Sequence, residues 1–103
     1  MVKMIDNKQF EAEVKSTPGV CLVDFFATWC APCMMLAPTI EELSEEFSGS
    51  VKFFKIDIDK FPQLASEYKI MSIPTVILFK DGQPAGKIGG LRDKNDYIDL
   101  IEM

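Results

Sequence analysis

The residues best equipped for chemistry in this sequence are Cys30 and Cys33, two thiols three residues apart in Trp29-Cys30-Ala31-Pro32-Cys33. A thiolate attacks a disulfide to form a mixed disulfide, and a second thiol at this spacing resolves it, so the pair suits reversible oxidation. The competing chemistry is half of a zinc site, which needs four ligands. The chain holds no histidine, and its third cysteine, Cys21, falls inside an apolar run, so no metal is expected. The missing histidine also excludes Cys-His and Ser-His catalytic pairs, leaving proton transfer to carboxylates, thiols, lysines or water.

Two elements must hold the pair. Val20-Cys21-Leu22-Val23-Asp24-Phe25-Phe26 is nearly continuous in apolar residues, the pattern of a strand covered on both faces, with one carboxylate interrupting it. From roughly Pro32 to Phe47 the spacing of Leu36, Ile40, Leu43 and Phe47 predicts a helix with one buried stripe. Pro32 suits an early helical position, and Pro38 should remove one backbone hydrogen bond and bend the axis. Unpaired N–H groups and the helix dipole at this junction favour a thiolate on Cys30, while Cys33, inside the helix, should be more buried.

The remaining elements follow from punctuation. Met4-Ile5 reads as a short first strand, and Asp6 or Asn7 caps a helix from about Lys8 to Lys15 with Phe10 and Val14 on one face. Thr17-Pro18-Gly19 stops that helix. Val51 to Ile58 reads as a second apolar strand, and Asp59 and Pro62 suit a short helix reaching about Tyr68. Thr75 to Phe79 is a third strand, opening directly after Pro74. Lys80-Asp81-Gly82-Gln83 signals a hairpin into a strand near Ala85 to Ile88. Asp93 then caps a last helix with Tyr97, Leu100 and Ile101 on one face. Alternating strands and helices require a parallel portion of sheet, and the hairpin adds an antiparallel edge.

Composition limits the partners. A chain of 103 residues suits one domain, and a formal net charge of -5 without a basic run disfavours nucleic acid and anionic membranes. The polar start by Asp6 leaves no stretch for a signal peptide or membrane span, so a cytoplasmic, reducing compartment is expected.

The run from Val23 to Cys33, with Lys55-Ile56-Asp57, Ile73-Pro74-Thr75 and Gly89, resembles the thioredoxin family over essentially the whole chain. The resemblance implies an α/β thioredoxin fold, a central five-stranded mixed sheet flanked by four helices. It also implies protein-disulfide reduction without a cofactor beyond the dithiol. Its implied partners are an NADPH-dependent thioredoxin reductase and disulfide-containing clients such as peroxiredoxins. By the same likeness Cys30 is the nucleophile, Cys33 the resolving thiol, Asp24 the buried carboxylate behind them and Lys55 its partner. Pro74 matches a cis-proline facing the active site, Ile73 supplies backbone for substrate, and Trp29, Ala31, Pro32 and Gly89 belong to the contact surface. Ala31 stands where the commonest motif has glycine, and Met34 where many members carry a lysine or arginine. A disulfide-forming oxidant or isomerase, and a redox-inert binding module, are the alternatives.

Outside the motif the residues have plain readings. Cys21 should share a face with Val23 and Phe25, not with Asp24, as an inert buried thiol. Met34, Met35 and Met71 read as adaptable packing, with Met71 close enough to Pro74 to line a substrate groove. Glu41, Glu42, Glu45 and Glu46 read as a solvated helix face.

Overall fold

A computed structural model describes residues 1–103. Its sheet contains β1 (Lys3–Met4), β2 (Val20–Phe26), β3 (Lys52–Asp57), β4 (Thr75–Lys80) and β5 (Gln83–Gly89), in the spatial order β1-β3-β2-β4-β5. The helices are α1 (Asn7–Phe10), α2 (Ala31–Glu46), α3 (Pro62–Glu67) and α4 (Lys94–Glu102). This is the expected five-stranded mixed sheet with four helices. β2 runs parallel to β3 and antiparallel to β4, so the antiparallel portion reaches the central strand and is larger than the hairpin edge read from the sequence. The hairpin β4–β5 turns at Asp81 and Gly82, both in the left-handed region. A Cβ at Gly82 would collide with the Lys15 carbonyl, so only glycine lets the hairpin lie against the end of the first helix.

Strand alternation divides the core. Cys21, Val23 and Phe25 face Phe10, Val14, Ile77 and Phe79 on one side, where Phe10, Phe79 and Tyr68 pack edge to face. Leu22 faces Leu36, Ile40 and Leu43 of α2 and Tyr97 and Leu100 of α4 on the other. Apart from Val20, β2 is buried at every position, which is why its sequence is a continuous apolar run. Cys21 is a free thiol that burial pushes above its ordinary pKa, away from the reactive thiolate form. Cys21→Ala should therefore leave the disulfide exchange expected of Cys30 and Cys33 intact and cost about 1 kcal/mol as a one-atom core truncation. Denaturant unfolding beside a thiol-disulfide exchange assay checks both.

Several local expectations are corrected. The first helix does not continue as α-helix to Lys15: after α1, Glu11–Lys15 forms a π-helical turn in which Ser16 N–H reaches the Glu11 carbonyl at 3.1 Å. Phe10 and Val14 stay buried, and the Thr17 hydroxyl donates to the Ala12 carbonyl at 2.6 Å, closing the wide turn. Asp6 forms a capping box with Gln9, whereas Asp93 stands at the start of α4 in extended backbone without a side-chain cap bond. Met34 and Met35 are not packing residues; they are solvent-exposed on the outer side of α2. The acidic face of α2 is solvent-exposed as expected, and on it the Lys94 ammonium reaches Glu42 at 2.6 Å and also pairs with Glu46. Pro38 lies inside α2 as expected, on the exposed side where water can serve the carbonyl it frees.

The candidate redox site

β2 ends at Phe26, and Ala27-Thr28-Trp29 leads into α2, placing the cysteine pair where strand gives way to helix. Cys30 is the N-cap of α2, in extended backbone, and its Sγ accepts the Cys33 N–H at 3.2 Å. An anionic sulfur here would receive a charge-assisted bond and the positive end of the dipole of a 16-residue helix. Pro32 falls in the first turn, where its missing N–H costs nothing. Cys30 and Cys33 are joined as a disulfide with Cα atoms 5.2 Å apart. Both are buried, at 4% and 1% exposure, so depth hardly separates them. What separates them is access: Cys30 lines a surface groove and Cys33 does not.

That groove is about 490 Å³ and is bordered on the thiol side by Trp29, Cys30, Ala31 and Pro32. Ile70, Met71, Ser72 and Ile73 form the facing wall, with Ile58 also lining it. The Ile73-Pro74 peptide bond is cis, and the Ile73 carbonyl oxygen lies 3.8 Å from Cys30 Sγ. Two bonds hold that wall: the Thr75 hydroxyl donates to the Ser72 carbonyl at 2.6 Å, and Gly90 N–H to the Pro74 carbonyl at 2.8 Å. Trp29, 69% exposed, is fixed by its indole N–H donating to Asp59 at 2.6 Å. The buried Asp57 carboxylate in turn accepts Asp59 N–H at 2.9 Å, shaping the turn after β3.

Asp24 lies behind the pair. Its strand neighbours Leu22 and Phe26 pack on α2 and on the two cysteines respectively, and alternation turns Asp24 to the same face. It borders a small cavity of about 50 Å³ with Ala37, Ile40, Glu41 and Lys55. Ala37 follows Cys33 by one helical turn, so the carboxyl sits under the face that carries the inner sulfur. Asp24 is 4% exposed, and its Oδ1 has no hydrogen-bond partner. Burial pushes its pKa up to about 7, and the Lys55 charge opposes this only in part. Asp24 and Lys55 are register partners on parallel strands, yet the Lys55 ammonium forms no ion pair and lies 5.7 Å from the Phe26 ring centroid.

A family model for thioredoxin matches residues 1–103. Thioredoxins of Staphylococcus aureus strains COL and MW2 are each 45% identical over 102 residues, covering 99% of this chain and 95% of theirs. The chain belongs to the thioredoxin family. It is a thiol-disulfide oxidoreductase, and Cys30-Cys33 is the redox-active pair of this thioredoxin-family site.

The structure brings Trp29, Cys30, Ala31, Pro32 and Ile73 together around one groove and sets Asp24 with Lys55 at a separate cavity behind it. Pro74 and Gly89 stand outside the lining: Pro74 is buried behind Ile73, and Gly89 pairs with Thr75 in the sheet. The sequence reading missed Ile58, Asp59, Ile70 and Ser72. Ile70 and Ser72 adjoin Met71 and Ile73 in the chain, so contiguity with the Pro74 motif was a usable signal. Asp59 is thirty residues from the indole it holds and carries no local signal. No three His, Cys, Asp or Glu side chains cluster as metal ligands would, and no helix is long and apolar enough to cross a membrane.

Proposed function

We propose that this protein reduces disulfides in client proteins in the cytoplasm and is itself re-reduced by an NADPH-dependent thioredoxin reductase. The observation that carries this reading is the Cys30 sulfur: it caps α2, accepts the Cys33 N–H at 3.2 Å and opens onto an apolar groove. In the reduced protein those groups stabilise the Cys30 thiolate, which attacks one sulfur of a client disulfide. One client sulfur leaves as a thiolate, and the other is bonded to Cys30. Cys33 then gives up its proton to Asp24, directly or through a water in the adjoining cavity, and its sulfur attacks Cys30. The mixed disulfide breaks, the client leaves with two reduced sulfurs, and the Cys30-Cys33 disulfide forms. Two electrons have moved from this protein to the client.

Trp29, Ala31, Pro32 and Ile73 hold the client chain beside Cys30, with Pro74 and Gly89 supporting the Ile73 wall. Lys55 limits how far burial raises Asp24. Clients are protein disulfides with apolar neighbours, peroxiredoxins among them, because seven of the nine residues lining the groove are hydrophobic. No metal or organic cofactor is needed. The test couples NADPH oxidation by a bacterial thioredoxin reductase to reduction of insulin disulfides. Catalytic turnover of this protein is expected. A protein that accepts no electrons from the reductase, and oxidises dithiols instead, would overturn the direction proposed.

A further inference from the structure

Tyr97 is buried completely in the second core, on α4, and has no place in the exchange chemistry. Its hydroxyl nonetheless leaves the core. It donates to the Gly90 carbonyl at 3.2 Å and accepts Arg92 N–H at 3.2 Å, gripping both sides of Leu91 in the segment between β5 and α4. Burial pushes the Tyr97 pKa above its ordinary value, so the proton that makes the first bond is retained.

Gly90 is the relay. At φ +82 it is in the left-handed region, a conformation glycine adopts without strain, and it makes bonds in two directions. Its carbonyl receives the Tyr97 hydroxyl, and its N–H donates to the Pro74 carbonyl at 2.8 Å. Pro74 follows Ile73, whose carbonyl faces Cys30 Sγ at 3.8 Å across the groove. A continuous series of named bonds therefore links the interior of α4 to the client-facing wall. Its far end is firm, because Lys94 at the start of α4 is pinned to Glu42 and Glu46 of α2. The near end is exposed: Leu91, Arg92, Met71 and Ser72 all face solvent, and nothing else from α4 hydrogen-bonds Gly90, Leu91 or Arg92.

We infer that Tyr97 is a positioning residue for client binding, its hydroxyl setting the Gly90 segment and, through the Gly90–Pro74 bond, the Ile73 wall of the groove. The inference rests on the reading of that groove as the client site. Its consequence is selective. A client that lies along the wall depends on where Ile73 is held, whereas a small disulfide needs only the Cys30 sulfur.

Tyr97→Phe removes the hydroxyl and keeps the ring that fills the core, so the fold is preserved. Insulin, as protein disulfide, and hydroxyethyl disulfide, as small disulfide, are each mixed in excess with pre-reduced protein, and the single-turnover rate is followed against disulfide concentration, its half-saturation read as KM and its plateau as kcat. With insulin the variant should show a KM raised about three- to tenfold, the scale of one lost hydrogen bond, and an unchanged kcat. Hydroxyethyl disulfide should react at the native rate. Amide exchange at Gly90 should quicken, because its partner segment is no longer held. An unchanged KM for insulin, equal slowing with both disulfides, or native exchange at Gly90 would each overturn the proposal. A wild-type protein inert toward both disulfides would remove the reading of the groove instead, and Gly90 exchange would then decide the clamp alone.

Discussion

Cys30→Ser abolishes disulfide reduction and forms no covalent adduct, whereas Cys33→Ser attacks once and stays attached to its client; that is the expected result for the largest effect in the molecule. The asymmetry follows from position. Cys30 Sγ is the sulfur that opens onto the groove and accepts a helix N–H, so it alone is both accessible and stabilised as an anion. Cys33 does not line the groove and meets an incoming disulfide only after Cys30 has made it part of the protein. A serine at 33 leaves the first attack intact and removes the second, so the mixed disulfide accumulates. Mass spectrometry of each variant after incubation with an oxidised client is decisive. An adduct on Cys33 in the Cys30→Ser protein, with none on Cys30 in the other, would invert the roles.

Asp24→Asn should produce the second largest effect, with opposite signs for stability and for catalysis. The folded carboxyl titrates near 7 against an ordinary value of 3.8, because burial penalises its charge and Lys55 compensates incompletely. Between those two values the native state keeps a proton that the unfolded chain has released. Stability therefore falls as pH rises through that window, and the whole loss persists above it. A displacement of that size corresponds to about 4 kcal/mol above both values, which asparagine avoids by never ionising. Allowing for the imperfect fit of the amide, Asp24→Asn should gain about 2–4 kcal/mol near pH 8, and the gain should vanish toward about pH 4. Urea unfolding across that range measures it.

The same substitution should slow release of the client from Cys30 by about a hundredfold near neutral pH, since Cys33 loses the base that takes its proton. A rise in pH should restore much of the rate as solvent takes over the proton. Single-turnover kinetics of mixed-disulfide resolution check this. A buried Asp24–Lys55 ion pair would give the reverse pattern, because asparagine would leave an unpaired charge and the variant would be less stable. A destabilised variant resolving at the native rate would therefore sink the general-base role.

The sequence by itself determined the chemistry and most of the scaffold. Cys30-Ala31-Pro32-Cys33 between an apolar run and an amphipathic stretch specifies a dithiol at a helix start, because burial, helical spacing and proline placement are all local properties. The β2 boundaries, the Asp81-Gly82 hairpin and the course of α2 were legible for the same reason. Even Asp24 stood out, as one carboxylate in an otherwise apolar strand. The π-helical turn was not legible, since Phe10 and Val14 read equally as one α-helical face and only their packing with β2 and β4 requires them both inside. Nor was the antiparallel pairing of β2 with β4, which depends on how α3 and the Pro74 turn return the chain.

Tertiary structure also decided what each site residue touches. Gly89 and Pro74 carry the family motif but support the groove without lining it, while Asp59, Ile58 and Ile70 line or brace it without any motif. Lys55 resembles an ion-pair partner in the sequence and instead lies over Phe26, leaving Asp24 buried and unpaired. Tyr97 read only as core, and its hydroxyl acquires its partners because α4 folds back against the loop after β5. Periodicity reports which face of an element is apolar. It carries no information on which polar atoms from distant segments meet at the end of that face, and in this protein such meetings shape the groove, while the lack of one at Asp24 leaves burial to set its acidity.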